Sequence, residues 1–186
     1  MDCLTSLFLD HPIIAAVRTD IDLAAALESD SAAVFLLNGS IDTLREHAEK
    51  AHKAGKKLFL HIDLAGGLGK DEAGVRFAAK QGIDGIISTR GPLIRAAREC
   101  GVLCVQRFFM VDSHSVDTAV ESLRTFRPDL AEIMPGIAFR TVERLQKKVA
   151  IPLIAGGLIE DKEDIYHALS AGACAVSVGK KALWGL

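Results

Sequence analysis

Neither sign of charge dominates this chain. Its 22 lysines and arginines stand against 24 aspartates and glutamates, a net charge of −2. That excludes nucleic-acid binding driven by bulk charge and leaves a local basic patch open. Long hydrophobic runs are missing: none reaches membrane-spanning length. The opening Met1-Asp-Cys-Leu-Thr has neither the basic segment nor the apolar stretch of a signal peptide. Cysteine is scarce. Cys3, Cys100, Cys104 and Cys174 form no CxxC pair, and no cluster of histidines and cysteines stands beside them. That argues against a zinc site and for a reduced, cytoplasmic protein. There is no linker or low-complexity segment, and 186 residues suit one domain spanning 1–186. What the chain does have is apolar surface: 49% of it is hydrophobic, enough for a sizeable core.

One phrase recurs: helix, glycine, apolar strand. It appears around Gly55, Gly82, Gly101 and Gly172. Glycine just past a helix end takes the left-handed conformation without steric penalty. The continuous apolar runs that follow suit strands buried on both faces of a parallel sheet. Eight strands are predicted, at 13–17, 33–37, 58–62, 85–88, 102–106, 130–134, 153–155 and 175–178. Helices fit between them at 20–29, 42–54, 70–81, 92–100, 116–126, 139–148 and 161–171, with a stub after 180. The alternation predicts a compact (β/α)8 TIM-type barrel with minimal loops and short or vestigial helices. The rival is an open doubly wound sheet. Both place ligands at the carboxyl ends of the strands. Self-association could cover the apolar surface that clipped helices leave, making a homo-oligomer.

The last two strand ends carry the sharpest signal. Pro152-Leu-Ile-Ala-Gly-Gly-Leu-Ile159 and Ala173-Cys-Ala-Val-Ser-Val-Gly-Lys-Lys181 each run from apolar strand to glycine to helix. Barrel proteins hold phosphate at this place. Gly156, Gly157, Leu158 and Gly179 offer backbone amides, Ser177 a hydroxyl and Lys180 a cation, and the helix that follows offers its dipole. The plain alternative is that the glycines only permit tight turns.

Polar residues at the other strand ends would share the mouth: Arg18, Asn38, His61, Asp63, Ser88, Arg90, Gln106, Arg107 and Glu132. Arginines in a concavity suit an anion, and carboxylates suit its hydroxyl groups. A small phosphorylated polyol fits Arg18, His61, Asp63, Arg90, Arg107 and Glu132 together. Equally, Asp63 and Glu132 could pair with Arg90 or Arg107, and His61 could be a satisfied interior histidine. His61 and Asp63 lack a third ligand for a metal. Asp112-Ser-His-Ser115 reads as a helix cap through Ser113 or Ser115 rather than a hydrolase motif. No lysine stands at a strand end before Lys180, which argues against a Schiff-base aldolase.

Arg140, Arg144, Lys147 and Lys148 fall on one side of a predicted helix and form a positive stripe, diluted by Glu143. By itself the stripe reads as a solvated face. A wider pattern bears on it. His11-Pro-Ile-Ile-Ala-Ala-Val-Arg18, Phe35-Leu-Leu-Asn-Gly-Ser40, His61-Ile-Asp-Leu64, Asp84-Gly-Ile-Ile-Ser-Thr-Arg90, Gln106-Arg-Phe-Phe109, Pro135-Gly136 and Ala155-Gly-Gly-Leu-Ile159 together resemble the glycerol-3-phosphate-responsive antiterminators. The likeness spans nearly the whole chain. It departs at Ser177-Val-Gly-Lys180, where the family has a Ser/Thr-rich turn ending in asparagine, and at His114, where an apolar residue is usual.

The resemblance implies a barrel that binds glycerol 3-phosphate as effector, with no cofactor, and that binds leader mRNA to prevent termination. Residues 140–148 are then the candidate RNA surface. With one Trp and one Tyr, base stacking has to use phenylalanine rings or arginine planes. The competing class is an enzyme, an isomerase, lyase or phosphodiesterase acting on a small sugar or polyol phosphate. Asp63 and Glu132 would then be its acid and base.

Overall fold

A sheet of parallel strands has two raw edges unless it closes on itself. In the computed structural model, which describes residues 7–186, it closes. Eight strands, β1 (Ile13–Val17), β2 (Ala33–Leu36), β3 (Lys57–His61), β4 (Gly85–Ser88), β5 (Leu103–Phe109), β6 (Leu130–Met134), β7 (Leu153–Gly156) and β8 (Ala175–Val178), form a closed barrel. Neighbours pair in parallel all the way round, and β8 meets β1 through Ile14 opposite Ser177. The helices between them are α1 (Asp20–Glu28), α2 (Leu44–Lys53), α3 (Glu72–Lys80), α4 (Gly91–Glu99), α5 (Ser113–Phe126), α6 (Phe139–Gln146) and α7 (Lys162–Ser170). After β8 there is only a 3-10 turn, Lys181–Leu183. The predicted (β/α)8 architecture with a stub in place of the last helix is thus the observed one. Cys3 and the opening Met1-Asp-Cys-Leu-Thr lie outside the described residues.

Alternation along each strand sorts the apolar side chains into two cores. One is the barrel interior: Ile14, Phe35, Phe59, Ile87, Val105, Leu130 and Ile154, with Phe8 joining from the segment before β1. The rings of Phe35 and Phe59 meet at 5.4 Å between centroids, tilted by 59°. The other core lies between sheet and helices and holds Val34, Leu58, Ile86, Ile133 and Val176 against Leu44, Val75, Ile94, Val142 and Ile165. Trp184 closes the chain's end by donating its indole N–H to the Val178 carbonyl at 2.7 Å.

Helix starts follow the side chains that satisfy their first amides. Thr19, Asp71 and Asp161 cap α1, α3 and α7. At α5 the cap is Asp112, not Ser113 or Ser115. Its carboxylate takes the Ser115 amide at 2.8 Å, and the Ser115 hydroxyl accepts the Asp112 amide at 3.3 Å. A carboxylate at the cap lets the helix begin three residues earlier than the apolar periodicity indicates. β5 likewise outruns its expected end at 106, because Phe108 and Phe109 continue in register with Ile133 and Met134. Ile62, expected in β3, instead opens a 3-10 turn with Asp63 and Leu64.

Candidate functional site

The strand ends enclose a cleft of about 420 Å³, lined by Ala16, Arg18, Leu37, Arg107, Glu132, Met134, Gly157, Leu158, Ile159, Glu160, Ser177, Gly179 and Lys180. The chain reaches it from β1, β2, β5, β6, β7 and β8 in turn. At the end of β7 the backbone takes two left-handed residues in succession, Gly157 at φ 80° and Leu158 at φ 59°. Leucine resists that conformation, and its side chain is left exposed. The tight turn engages carbonyls rather than amides: Gly136 donates to the Gly156 and Gly157 oxygens at 2.6 and 2.9 Å. The N–H groups of Gly157, Leu158, Gly179 and Lys180 donate to no described residue.

Charge in the cleft is mixed. Arg18 is exposed and has no carboxylate partner among the described residues. Lys180 donates to the Glu160 carbonyl at 2.9 Å and lies 3.8 Å from its carboxylate. Deeper in, Arg107 Nε donates to Glu132 Oε2 at 2.6 Å, and both side chains are buried. Three cations against two carboxylates, with amides to spare, favour an anion.

Gly156 does not line the cleft. It presses on Glu132 from behind, where a methyl group would overlap the carboxylate. The α7 dipole does not face an empty space either. Asp161 takes the Asp164 amide at 2.9 Å and Asp164 takes the Glu160 amide at 2.8 Å, so that helix end is met by its own carboxylates. Glu160 is the charged cleft residue that sequence reasoning missed, along with the apolar Ala16, Leu37, Met134 and Ile159. Its place two residues beyond the predicted Leu158, on the same turn, was the available signal.

Asp63 and Arg90 stand apart from this cleft. The Asp63 carboxylate accepts from Arg90 Nε at 3.0 Å, the Thr89 amide at 2.7 Å, the Thr89 hydroxyl at 3.2 Å and the Ser88 hydroxyl at 3.0 Å. Burial would raise its pKa. The Thr89 amide, the Arg90 guanidinium and the Ser88 hydroxyl outweigh burial and hold it below the ordinary value. Arg90 faces a neighbouring depression with Lys70, Asp71 and Pro92. His61 is buried in the barrel with Nδ1 unpartnered. Burial first, then the Arg107 guanidinium, push its pKa down to about 4, so it is neutral at pH 7. Gln106 turns outward and donates to the Ser122 hydroxyl on α5 at 2.8 Å.

The predicted basic stripe sits on α6 and just beyond. Lys147 is met by Glu143 at 2.7 Å and Lys148 by Asp117 of α5 at 3.0 Å. Arg140 and Arg144 are exposed without a carboxylate partner among the described residues. No helix of the described residues is long and apolar enough to cross a membrane. No group of three or more metal-ligating side chains occurs among them.

Comparison with known proteins gives the family and the fold. Residues 13–184 match the family described as glycerol-3-phosphate responsive antiterminator. A glycerol uptake operon antiterminator regulatory protein from Listeria monocytogenes shares 36% identity over 95% of this chain and 96% of its own, with a TM-score of 0.90. A glycerol uptake operon antiterminator-related protein from Thermotoga maritima shares 31% identity over 92% and 96%, with a TM-score of 0.82. An Escherichia coli K12 protein known only as YgcP is 36% identical over 98% of this chain and 96% of its own. Matched over residues 13–184 and sharing 31–36% identity with these proteins along nearly its full length, the chain belongs to the glycerol-3-phosphate responsive antiterminator family.

Proposed function

We propose that this protein senses glycerol 3-phosphate in the strand-end cleft and, when loaded, binds the leader mRNA of a glycerol-utilisation operon in the cytoplasm and prevents termination there. The observation that carries the reading is the juxtaposition of Arg18 and Lys180 with the undonated amides of residues 157, 158, 179 and 180 around one small cavity. A phosphate monoester carries roughly 1.5 to 2 negative charges near neutral pH and offers several strong acceptors. The Arg107–Glu132 pair lies deeper in the same cavity. It supplies donors and acceptors for two vicinal hydroxyls. Ligand at this rim orders the loops after β1, β7 and β8. RNA affinity then rises to the extent that the ordered form binds RNA better. The exposed cations at residues 140–148 are one route for the RNA.

The enzyme reading has less support. Its acid and base would be Asp63 and Glu132, but Asp63 is saturated by Ser88, Thr89 and Arg90 outside the cleft, and Glu132 is neutralised by Arg107.

Thermal unfolding against a panel of phosphorylated metabolites tests the sensing step. At a hundredfold excess over its dissociation constant, a ligand confined to the native state adds about 2.7 kcal/mol. A shift with glycerol 3-phosphate and none with glycerol supports the reading. A flat response to glycerol 3-phosphate, or turnover of any phosphorylated substrate in the panel, overturns it.

A further inference from the structure

We propose that the RNA is held chiefly by an arginine cluster at the opposite end of the barrel, made of Arg95 and Arg98 on α4, Arg124 and Arg127 at the end of α5, and Lys148. This rests on the leader-RNA reading above and gives that partner a surface.

Phe126 joins the two helices. The Arg95 guanidinium lies over its ring, 5.5 Å from the centroid. Arg98 donates to its carbonyl at 3.2 Å, which also satisfies the end of α5. Arg124, Arg127 and Lys148 rim an adjoining hollow of about 260 Å³ floored by Leu123, Val149 and Ile151. Charged rim, apolar floor and an arginine plane backed by an aromatic ring are what a nucleotide uses. Phosphate goes to guanidinium, and base to the flat apolar and arginine surfaces.

Some exposed cations of this chain have carboxylates in reach, as Lys50 has Glu46, Lys57 has Asp84, and Lys181 has Asp22; Arg18, Arg140 and Arg144 do not, but they do not adjoin this hollow. None of Arg95, Arg98, Arg124 and Arg127 has a carboxylate within 4 Å among the described residues. Asp129, two residues from Arg127, turns one oxygen to the Cys104 amide and thiol instead, at 2.8 and 3.2 Å. In a chain of net charge −2, the four guanidiniums form a local group of cations without ion-pair partners, while Lys148 at its edge is met by Asp117 at 3.0 Å.

Arg127 supplies the independent observation. The chain leaves α2, α3, α4 and α7 through left-handed glycines, Gly55, Gly82, Gly101 and Gly172. It leaves α5 through an arginine at φ 48°, in front of a proline. Glycine would relieve that conformation. α1 and α6 also end without glycine, at Ser29 and Lys147, but among the described helix ends Arg127 alone takes the left-handed conformation without being glycine, and its side chain rims the hollow.

The test exploits this. Binding of a labelled leader transcript from a glycerol-utilisation operon is measured with saturating glycerol 3-phosphate, between about 50 and 200 mM salt. Arg127→Gly is expected to unfold at the same or a higher temperature than the parent yet bind RNA more weakly. Arg124→Gln with Arg127→Gly is expected to lose at least tenfold in affinity. Its salt dependence should flatten by about 0.7 in log–log slope per phosphate contact removed. If the parent binds and the double variant binds with equal affinity and slope, this surface is wrong. Loss of binding on Arg140→Ala with Arg144→Ala instead would give the α6 stripe that role. If the parent is stabilised by glycerol 3-phosphate but binds no leader transcript, the RNA reading itself fails and the surface with it.

Discussion

Arg107 and Glu132 are register partners on β5 and β6 and close a 2.6 Å ion pair inside the barrel mouth. The strand ladder sets their Cα positions, so the pair needs little further ordering. Both charges are buried, and each is tolerable only because of the other. The pair is therefore at once a structural lock and the polar floor of the cleft.

Removing one partner should be costly. Glu132→Ala leaves the Arg107 guanidinium buried and uncompensated, and we expect a loss of about 3–5 kcal/mol in urea unfolding. Replacing both residues, as Arg107→Met with Glu132→Leu, should recover most of that stability while abolishing the response to glycerol 3-phosphate. Equal damage from the single and double changes would show that the charges are not coupled.

Gly156→Ala should strike the same pair from behind. The added methyl overlaps the Glu132 carboxylate, so either the strand or the ion pair must shift. Overpacking of this kind costs about 1–3 kcal/mol. The urea midpoint should fall, and the loss should shrink when Glu132 is already alanine.

At the rim, Arg18→Ala should weaken ligand without weakening the fold, since Arg18 has no carboxylate partner among the described residues. A hydrogen bond to a charged group contributes about 1.5–3 kcal/mol. Calorimetric titration with glycerol 3-phosphate should therefore show roughly a ten- to hundredfold rise in dissociation constant. Unchanged affinity would move the phosphate elsewhere.

Acid should destabilise the protein in two stages. A histidine titrates near 6.5 when unfolded, whereas His61 in the barrel titrates at about 4. The unfolded chain thus binds the proton more readily between those values. The His61 contribution is complete above about 6.5 and is lost as pH falls toward 4. Asp63 is held below its ordinary 3.8. Its contribution is present above that value and is lost as pH falls through its lowered pKa. Urea midpoints measured from neutral pH downward should decline through both windows. His61→Phe should flatten the first and Asp63→Asn the second.

Thiol chemistry should follow burial. Burial pushes Cys104 up to about 12 and Cys174 up to about 11, and the Asp129 carboxylate adds to the effect at Cys104. Neither should be alkylated in the native protein at mildly alkaline pH. Intact mass after iodoacetamide treatment should show both protected until urea unfolds the barrel.

Much of this could be read from the residues in order. The helix-glycine-strand phrase marks four of the strands, and apolar runs mark the other four, because a parallel sheet buried on both faces leaves continuous apolar runs. Residues 157, 158, 177, 179 and 180 were legible as a group because they end the last two strands. Side-chain partners were harder. Gln106 and Arg107 looked like the end of β5. In fact one reaches Ser122 and the other Glu132, so polar residues continue the strand instead of stopping it. Of the two readings open for Asp63 and Arg90, mouth residues or an ion pair, the structure has the pair, and it lies outside the cleft. Whether adjacent strand ends turn toward the axis or toward a neighbouring loop is a matter of register, which local sequence does not encode.

The pairing of β8 with β1 has its own corollary. A ring of strands offers no vacant edge, so no peptide or second copy can extend this sheet by strand addition. Whatever engages the described chain must meet loops or helices, and any response to a small molecule has to be carried by those elements moving over a wall that stays shut.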